Sequence, residues 1–587
     1  MGPVRKTGTD DTKQLSMSRY EVTQTPAGLP TLLYRDGIRV ARIHSAYDPV
    51  AEAERAAAGF NPGRATTVAV AGLGLGYHIA ALKRRFPGLT FIAVERDPEV
   101  VAAAQKNCPH NLEGVAIVTS ISGIADIFET VDMSSFRGVA RYLHRPSYLL
   151  DRDFYDAVFN DIAQYAASKI SDLLTRLEFE ERWVMNILAN IHHIFSACPV
   201  RRLFGAFRGC PGVIVSAGPS LRKNVSLLEP LRQRAVIIAV DTAIGVLNKS
   251  GVNPHIVMTL DAQRHSVRHF FGWRGDAILC ADIVSYPPVM REWKGLKVIS
   301  ATSKYYTSAE GKTVRETTPL MGWIEQYTDS IGDIQSGGSV ATSAFDLLLN
   351  MGCACIILVG QDLAYTGREI HCSGTYHNDE WLPRVNRLGG LDAINQGVIR
   401  RRKIKRVAAY GGQGTVVSDF VFDLYRSWFE DSARKVAIPI LNATEGGARI
   451  IGAIEQSLAG IIENLPILNP TPEEILGRIM AVPQSVKPIR LIEAMRAAIS
   501  HLRLLGDALD KGGELSRVEE CANAEIIRPI LQPFMRRSRL FAARYQASAS
   551  VDEASAWALN DIRAAVTRLL PAMKDAVRRL EESAVPR

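Results

Sequence analysis

A turn rich in serine and glycine stands where a strand-like run gives way to a helical one. Ser216-Ala217-Gly218-Pro219-Ser220-Leu221 overlaps the end of the run GVIVS. Gly218 permits tight backbone geometry, and Pro219 suits a first helical turn. The hydroxyls of Ser216 and Ser220 can bind an anion beside free backbone N–H groups. The turn therefore predicts a phosphate site, with a capped strand–helix turn that binds nothing as the alternative.

Acidic residues end three further strand-like runs. These ends are Asp241-Thr242 after AVIIAV, Asp261 after HIVMTL, and Gly360-Gln361-Asp362 after CIILV. The carboxyl ends of the strands in an open parallel sheet face one crevice, in which ligands bind. We therefore expect the three carboxylates to meet near the serine–glycine turn. Each of them, taken alone, is also compatible with a helix N-cap.

A second segment of this kind, Ser336-Gly337-Gly338-Ser339, precedes the helical run VATSAFDLLLNMG. It places backbone N–H groups and hydroxyls at a helix start, as an anion site requires. Two anion-binding turns beside one crevice indicate a nucleotide.

Candidate catalytic side chains follow the last of these strands. Tyr365, His371 and His377 lie in the polar segment DLAYTGREIHCSGTYH. A histidine beside an acidic crevice can serve as a general base, because its ordinary pKa near 6.5 leaves it neutral at working pH. For each ring an incidental loop position is the alternative. His192 and His193, in a helical stretch, are expected to be a structural pair.

An earlier glycine loop has the context of a nucleotide-binding fold. Gly72, Gly74 and Gly76 follow the strand-like TTVAVA, and Glu95 closes the next strand, where an acid commonly accepts a ribose hydroxyl. The segment resembles the first motif of class I S-adenosylmethionine-dependent methyltransferases. No downstream methyltransferase motif accompanies it, so a Rossmann-like scaffold without a cofactor is favoured. Asp97 is expected to cap the following helix.

Length and composition restrict the class of protein. The 587 residues, 47% apolar and 22% charged, predict two to four soluble globular domains. No apolar run is long enough for a membrane span and the N-terminus has no signal region, so we expect a cytoplasmic protein without a membrane span. The eight cysteines show no CxxC pair and are expected to be reduced. The net charge of +8 includes the basic runs 400–406 and 536–539, expected to be solvated surface, and no nucleic-acid motif is present.

Strand-like and helical runs alternate along most of the chain, which predicts an α/β fold. We expect an N-terminal Rossmann-like domain with a small appended sheet, connecting helices, a central doubly wound Rossmann-like domain and a C-terminal all-helical domain. The segment from Arg368 to Gly412 shows no clear period and is expected to form loops around the site. The expected domain bounds are 1–147, 148–204, 205–465 and 466–587.

The central motifs together resemble the motility-associated factor (Maf) family of flagellin glycosyltransferases, whose central domain is similar to bacterial sialyltransferases. They are VIVSAGPSL, AVDTA, MTLDAQ, QSGGSVATSAFDLLL and ILVGQDLAY, within residues 205–380. The resemblance implies transfer of a nonulosonic acid, of the pseudaminic or legionaminic acid type, from its CMP form to Ser or Thr of flagellin, as flagellum assembly and motility need. It implies a sialyltransferase-like sugar-nucleotide donor site and flagellin as the acceptor partner.

Residue roles follow from this resemblance. It implies that the GPSL turn and the segment from Ser336 to Ser339 hold the nucleotide, that Tyr365 contacts its phosphate, and that His371 is the base, with His377 as the other choice. The expected catalytic residues are His371, Tyr365 and Asp362. The expected nucleotide-binding residues are Ser216, Gly218, Pro219, Ser220, Leu221, Asp241, Thr242, Asp261, Ser336, Gly337, Gly338, Ser339 and Gln361.

The chain departs from the sialyltransferase pattern at two strand ends. Asp241 and Asp261 stand where those enzymes tend to have asparagines, and a carboxylate repels a phosphate unless it is paired or bound to a metal. The metal question is therefore open. In an archaeal-type hydroxymethylpterin pyrophosphokinase, which shares this pattern, the two acids would bind Mg²⁺ with ATP. A non-enzymatic flagellin escort, gripping its partner through the C-terminal helices, is a third hypothesis, and a methyltransferase acting through Gly72 to Gly76 is a fourth.

Overall fold

The computed structural model describes most of the chain. The described residues are 18–120, 123–124, 127, 136–307, 312–387, 389–483, 487–511, 515–545 and 551–584. For residues 537–545, which include positions 537–539 of the basic run, only the backbone is described. The N-terminal residues 1–17, from which no signal region was inferred, lie outside this set. Tertiary contacts separate the chain into two compact units, Met1–Leu174 and Thr175–Arg587.

The first unit contains two sheets. Its strands are β1 (Tyr20–Gln24), β2 (Pro30–Asp36), β3 (Arg39–Arg42), β4 (Thr67–Ala71), β5 (Thr90–Val94), β6 (Val115–Val118) and β7 (Val139–Leu143). Strands β1 to β3 form the expected small antiparallel sheet. Strands β4 to β7 form a parallel sheet in the order β6-β5-β4-β7, as in half of a Rossmann fold. Its helices are Pro49–Ala58, Tyr77–Arg85, Pro98–Asn107, Pro109–Leu112, Arg145–Leu150 and the first part of Arg152–Asn190.

The second unit is built on one large parallel sheet. Its strands are β8 (Cys198–Pro199), β9 (Pro211–Val215), β10 (Val236–Val240), β11 (Ile256–Thr259), β12 (Ile278–Asp282), β13 (Lys297–Thr302), β16 (Asp333–Ile334), β17 (Cys355–Val359), β20 (Ile440–Asn442) and β21 (Ile454–Glu455). Two antiparallel hairpins lie outside it, β14 (Lys304–Thr307) with β15 (Thr313–Glu316), and β18 (Ile404–Ala408) with β19 (Thr415–Asp419). The central strands are almost continuously apolar because helices and loops cover both faces of the sheet.

Strand order places a crevice at β9 and β17. The sheet runs β16-β13-β12-β11-β10-β9-β17-β20-β21, with β8 beside β13. From β9 the chain builds outward through β10 to β16, and then returns to the other side of β9 with β17. Such a reversal opens a crevice at the carboxyl ends of the strands, where ligands bind in open α/β sheets. The fold therefore brings the turn after β9 and the residues after β17 to one place.

The described part of the second unit also contains helices and short helical turns. They are the rest of Arg152–Asn190, His193–Ser196, Val200–Leu203, Leu221–Asn224, Val225–Leu227, Leu228–Leu231, Asp241–Ala243, Ile244–Lys249, Arg264–Phe270, Pro287–Glu292, Pro319–Ile324, Val340–Asn350, Thr366–Arg368, Tyr376–Trp381, Leu382–Arg384, Leu391–Arg400, Tyr410–Gly412, Phe420–Lys435, Leu458–Asn464, Pro472–Met480, Ile489–Asp510, Leu515–Ala522, Arg528–Tyr545 and Val551–Ala584. The last four share a core with β11, β12 and β13. The α/β class, the parallel sheets and the helical C-terminal region are confirmed; the domain bounds at 147, 204 and 465 stay predictions.

The structure corrects the expectation for residues 368–412 and agrees with that for the cysteines. The segment from Arg368 to Gly412 was expected to be loops, but it contains the ten-residue helix Leu391–Arg400 and strand β18. The residues buried on that helix are Asn395 and Ile399, a stripe too sparse to reveal a period in the sequence. All eight cysteines are free, as expected. No helix within the described residues has the length and apolarity that crossing a bilayer needs.

Candidate functional site

The turn after β9 is tied to the residues after β17 by hydrogen bonds. The Asp362 carboxylate accepts the Ser220 backbone N–H at 3.1 Å, the Ser220 hydroxyl at 2.7 Å and the Thr366 hydroxyl at 2.6 Å. Ser216 donates to Gln361 Oε1 at 2.5 Å. Burial raises the pKa of Asp362. Asp362 is therefore the acceptor that organises the turn. The Ser220 hydroxyl, which was expected to face a phosphate, donates to it instead.

Close packing explains the glycines around Asp362. A Cβ atom on Gly218 would lie 2.1 Å from Asp362 Oδ2 and 2.4 Å from the Gly360 carbonyl oxygen. On the opposite side, after β20, a Cβ on Gly446 would lie 2.2 Å from the Ser220 hydroxyl. One on Gly447 would lie 2.2 Å from the Asp362 carbonyl oxygen. Three backbone segments thus meet with no room for a side chain.

The structure corrects the expected helix start at this turn. The helix spans only Leu221–Asn224, with Ser220 as its N-cap residue, so Pro219 precedes the helix and does not lie in its first turn. The N–H of Gly218 donates to the Gly360 carbonyl at 2.9 Å, and that of Ser220 donates to Asp362. These two N–H groups are not free donors, because the residues after β17 already accept them.

Asp241 and Asp261 form a separate acidic pair at the ends of β10 and β11. The carboxylate of Asp241 accepts the Thr242 N–H and the Thr259 hydroxyl, each at 2.7 Å, and burial raises its pKa to about 6. Asp261 accepts the Gln263 N–H at 2.8 Å, and its other oxygen lies 3.5 Å from His265 Nε2. The three predicted carboxylates do not form one cluster among the described contacts, because Asp362 turns toward Ser220.

The segment Ser336 to Ser339 is a helix cap. Ser339 is the N-cap of helix Val340–Asn350, and its hydroxyl accepts the Thr342 N–H at 3.3 Å. The Thr342 hydroxyl accepts the N–H groups of Gly337 at 2.9 Å and Ser339 at 3.3 Å. The Gly338 N–H donates to the Ser336 hydroxyl at 3.2 Å. A Cβ on Gly337 would lie 2.3 Å from the Trp428 ring, so that glycine is required by packing.

Tyr365 is buried in a charged triad. Its hydroxyl donates to Asp419, which also accepts Arg402 Nη1 at 3.0 Å and the Phe422 N–H at 2.8 Å. Although burial acts in the opposite direction, these bonds lower the pKa of Asp419. Burial and the bond to Asp419 raise the pKa of Tyr365 well above its ordinary value. The hydroxyl is therefore a neutral donor at physiological pH.

Three histidine rings, His269, His371 and His377, pack against one another in the second unit. The rings of His371 and His377 stack with centroids 5.0 Å apart, and His269 meets His377 at 5.2 Å. Burial lowers the pKa of His371 to about 3 and those of His377 and His269 to about 4. The positive charge of Arg402 further lowers the pKa of His371, whereas hydrogen bonding with the Ala217 backbone raises it. All three rings are therefore neutral at pH 7, and burial makes each a weaker proton acceptor than an exposed imidazole.

The glycine loop of the first unit is filled by the protein's own side chains. A Cβ on Gly72 would lie 2.1 Å from Ser147 Cβ, and one on Gly74 would lie 2.4 Å from His44 Nε2. Glu95 accepts the Leu73 N–H at 3.0 Å and the Asp97 N–H at 3.1 Å, so both carboxylate oxygens are engaged. The geometry supports a scaffold role. Asp97 caps helix Pro98–Asn107, as expected.

Three buried histidines, His44, His78 and His144, lie behind this loop with ligand-capable atoms within 4.8 Å of one another. His44 Nε2 accepts the Leu75 N–H at 2.7 Å, so that nitrogen is not open to a metal. The rings of His78 and His144 stack at 4.1 Å with an interplanar angle of 2°. A metal lies in the plane of each imidazole that binds it, and two parallel stacked planes cannot share one ion. The arrangement fits packed neutral imidazoles better than a metal centre.

Sequence reasoning missed several residues of the crevice. Asp419 lies 54 positions from Tyr365, and only its place before a helix, as an N-cap, marks it in the sequence. Arg402 was assigned to a solvated basic run. No sequence motif marks Thr366. Asp282 had a signal, because it ends a strand as Asp241 does, and it likewise accepts a threonine hydroxyl of the next strand, Thr302, at 2.7 Å.

Comparisons with known proteins place this geometry in context. The family described as 6-hydroxymethylpterin diphosphokinase MptE-like matches residues 185–368. An uncharacterized protein of Treponema pallidum (strain Nichols) is 23% identical over 220 residues, which are 34% of this chain and 56% of that protein. The match thus spans little more than half of that relative.

A solved structure matches over nearly the whole chain. The MAf glycosyltransferase from Magnetospirillum magneticum AMB-1 aligns with a TM-score of 0.52 and 15% identity, covering 97% of this chain and 93% of that one. The predicted resemblance to the Maf family is confirmed at the level of the fold. The chain is therefore an α/β protein that shares its fold with that structure.

Proposed function

We propose that this protein is a glycosyltransferase of the Maf type that transfers a nonulosonic acid from its CMP-activated form to Ser or Thr hydroxyls of flagellin. The observation that carries the proposal is the fold it shares with a MAf glycosyltransferase over 97% of its length. The donor sugar is of the pseudaminic or legionaminic acid type, and flagellin modification serves flagellum assembly and motility.

The crevice supplies groups for this chemistry. A neutral imidazole of His371 or His377 accepts the proton of the acceptor hydroxyl as that oxygen attacks the anomeric carbon. The bond to the CMP phosphate breaks with an oxocarbenium-like transition state, and direct displacement inverts the anomeric configuration. The Tyr365 hydroxyl is held by Asp419. A contact between Tyr365 and the departing phosphate therefore requires that hydroxyl to exchange Asp419 for a phosphate oxygen.

A transfer assay tests the proposal. Purified protein, flagellin and a CMP-activated nonulosonic acid are combined, and the intact mass of flagellin is measured. We expect flagellin to gain the mass of the sugar. The rate of this gain should fall by about 10²–10⁴-fold in whichever of the variants His371→Ala and His377→Ala removes the base. His501→Ala is the matched control, because His501 is exposed on helix Ile489–Asp510. No mass gain with folded protein and bound donor contradicts the proposal, and full activity in both crevice variants contradicts the assignment of the base.

A second candidate is the Mg²⁺-dependent hydroxymethylpterin pyrophosphokinase, which the MptE-like match over 185–368 favours. Asp241 and Asp261 would hold Mg²⁺ there, and Mg²⁺ would neutralise the ATP phosphates. The fit is partial, because each oxygen of Asp241 already accepts a hydrogen bond and burial raises its pKa to about 6. Formation of AMP from ATP and hydroxymethylpterin would establish this activity, whereas no AMP from folded protein would exclude it.

A further inference from the structure

A cavity of about 400 Å³ opens beside Asp261, and no role assigned above uses it. It is lined by Arg182, Asn186, Ala262, Gln263, Arg264, His265 and Tyr286. Its volume falls within the range of roughly 300–1,000 Å³ that small-molecule sites occupy. The cavity lies in the second unit next to the acidic pair, since the Tyr286 N–H donates to the Asp261 carbonyl at 2.9 Å.

Hydrogen bonds fix the backbone that lines the cavity. Asn186, which is buried, donates to the carbonyls of Ala262 at 3.1 Å and Val284 at 2.8 Å. Asp261 fixes the Gln263 backbone through the 2.8 Å bond to its N–H. The chain between β11 and Arg264 is thus anchored to helix Arg152–Asn190, which carries Arg182. The cavity is a consequence of the fold rather than of free side chains alone.

The two arginines of the cavity have no acidic partner among the described interactions. Arg182 contacts the Phe179 ring at 5.2 Å, and both arginines are exposed. Neighbouring arginines are paired, as with Arg268 and Glu380 at 2.8 Å. Two guanidinium groups at one cavity attract an anion, and each matches the two oxygens of a carboxylate.

We propose that this cavity binds the carboxylate of the donor sugar, with Arg182 and Arg264 as its binding groups. This inference rests on the proposed function, in which the donor is a 2-keto acid sugar that carries a carboxylate at the anomeric carbon.

The test compares binding of three probes by calorimetry. The probes are CMP, CMP-N-acetylneuraminic acid and the methyl ester of that sugar nucleotide, which lacks the carboxylate charge. We expect Arg182→Gln and Arg264→Gln each to weaken binding of the acid by about tenfold and to leave the affinities for CMP and for the ester unchanged. Arg274→Gln is the matched control, since Arg274 is exposed and lies outside the cavity lining. Circular dichroism checks that each variant is folded.

The outcomes separate this inference from the proposed function. If CMP binds and both arginine variants retain full affinity for the acid, the inference is wrong while the proposed function stands. An equal loss of affinity for CMP and for the acid would assign the cavity to the nucleotide phosphate and overturn the carboxylate assignment. If the unmodified protein binds neither CMP nor the acid, the proposed function fails and the inference fails with it.

Discussion

Asp362 accepts hydrogen bonds from both the backbone N–H and the hydroxyl of Ser220, at 3.1 Å and 2.7 Å. This relationship joins the turn after β9 to the turn after β17 across the switch point of the sheet. Two motifs that read in the sequence as separate ligand-binding elements are therefore one structural unit. The crevice owes its shape to a carboxylate that points into the protein.

Replacing Asp362 should destabilise the second unit. Asp362→Ala leaves the Ser220 N–H and the hydroxyls of Ser220 and Thr366 without their acceptor, and buried unpaired donors cost about 1–3 kcal/mol. We expect the free energy of unfolding to fall by about 2–3 kcal/mol. Asp379→Ala, which removes an exposed partner of Lys249, should cost less than about 1 kcal/mol.

Tryptophan fluorescence during urea unfolding measures this loss, because all seven tryptophans lie at position 183 or beyond and report on the second unit. Equal stability of the two aspartate variants would show that Asp362 does not organise the turn.

A single methyl group at Gly218 should disrupt the crevice. The added Cβ of Gly218→Ala would meet Asp362 Oδ2 at 2.1 Å, and the backbone must move to relieve the clash. Overpacking of this kind costs about 1–3 kcal/mol, and we expect CMP binding to be lost. Gly397→Ala serves as the control, since nothing lies within 4 Å of its added Cβ and it sits in helix Leu391–Arg400. The free energy of unfolding of Gly397→Ala should rise by up to about 1 kcal/mol. Thermal unfolding measures the stability of both variants, and titration with CMP measures their binding.

Arg402 should matter more than its neighbours in the basic run. Arg402→Gln removes the cation that pairs with Asp419, whose side chain is only 3% exposed. We expect a loss of about 1–2 kcal/mol in the free energy of unfolding, since hydrogen bonds to buried charged groups contribute about 1.5–3 kcal/mol and Arg402 is partly exposed. Arg401→Gln changes the same net charge at an exposed position and should have almost no effect. Identical urea midpoints for the two variants would contradict the triad.

The stability of the first unit should fall as the pH is lowered. Burial lowers the pKa of His44 to about 3 and that of His78 to about 4. In the unfolded chain these rings take up protons as the pH falls through about 6.5, whereas in the folded chain they stay neutral until about pH 4. The unfolded state therefore binds more protons, and stability falls with falling pH, by about 1.4 kcal/mol per pH unit for each ring in this window.

Hydrogen exchange read by mass spectrometry detects this effect, because the first unit contains no tryptophan. Peptides from β4 and β5 should lose protection between pH 7 and pH 5, after correction for the intrinsic exchange rate. His78→Gln should make the loss shallower, and His110→Gln, at an exposed position, should leave it unchanged. Protection that does not vary with pH in the unmodified protein would contradict the account of the buried rings.

Short-range sequence patterns predicted much of the fold, because its strands and helix starts each carry a local pattern. The central strands β9 to β13 and β17 are mostly apolar runs, and Asp97 and Ser339 stand before helices as N-caps do. Strand β20, with three residues, carries too little pattern to recognise, yet the loop after it supplies Gly446 and closes over Ser220.

The site was less predictable than the fold. Residue types and spacing brought Ser220 and Asp362 to one crevice, but they did not show that these two side chains bind each other. Pairings such as Tyr365 with Asp419 depend on where a distant hairpin returns to the sheet. Sequence spacing carries no record of that return, so the partners of a site residue emerge only from the tertiary structure.

The most direct test of the central claim is calorimetric titration of the intact protein with CMP and with ATP, each with and without Mg²⁺. The account predicts that CMP binds, and that Gly218→Ala abolishes this binding while Gly397→Ala preserves it. Binding of ATP only in the presence of Mg²⁺, with no binding of CMP, would contradict the account and favour pyrophosphoryl transfer.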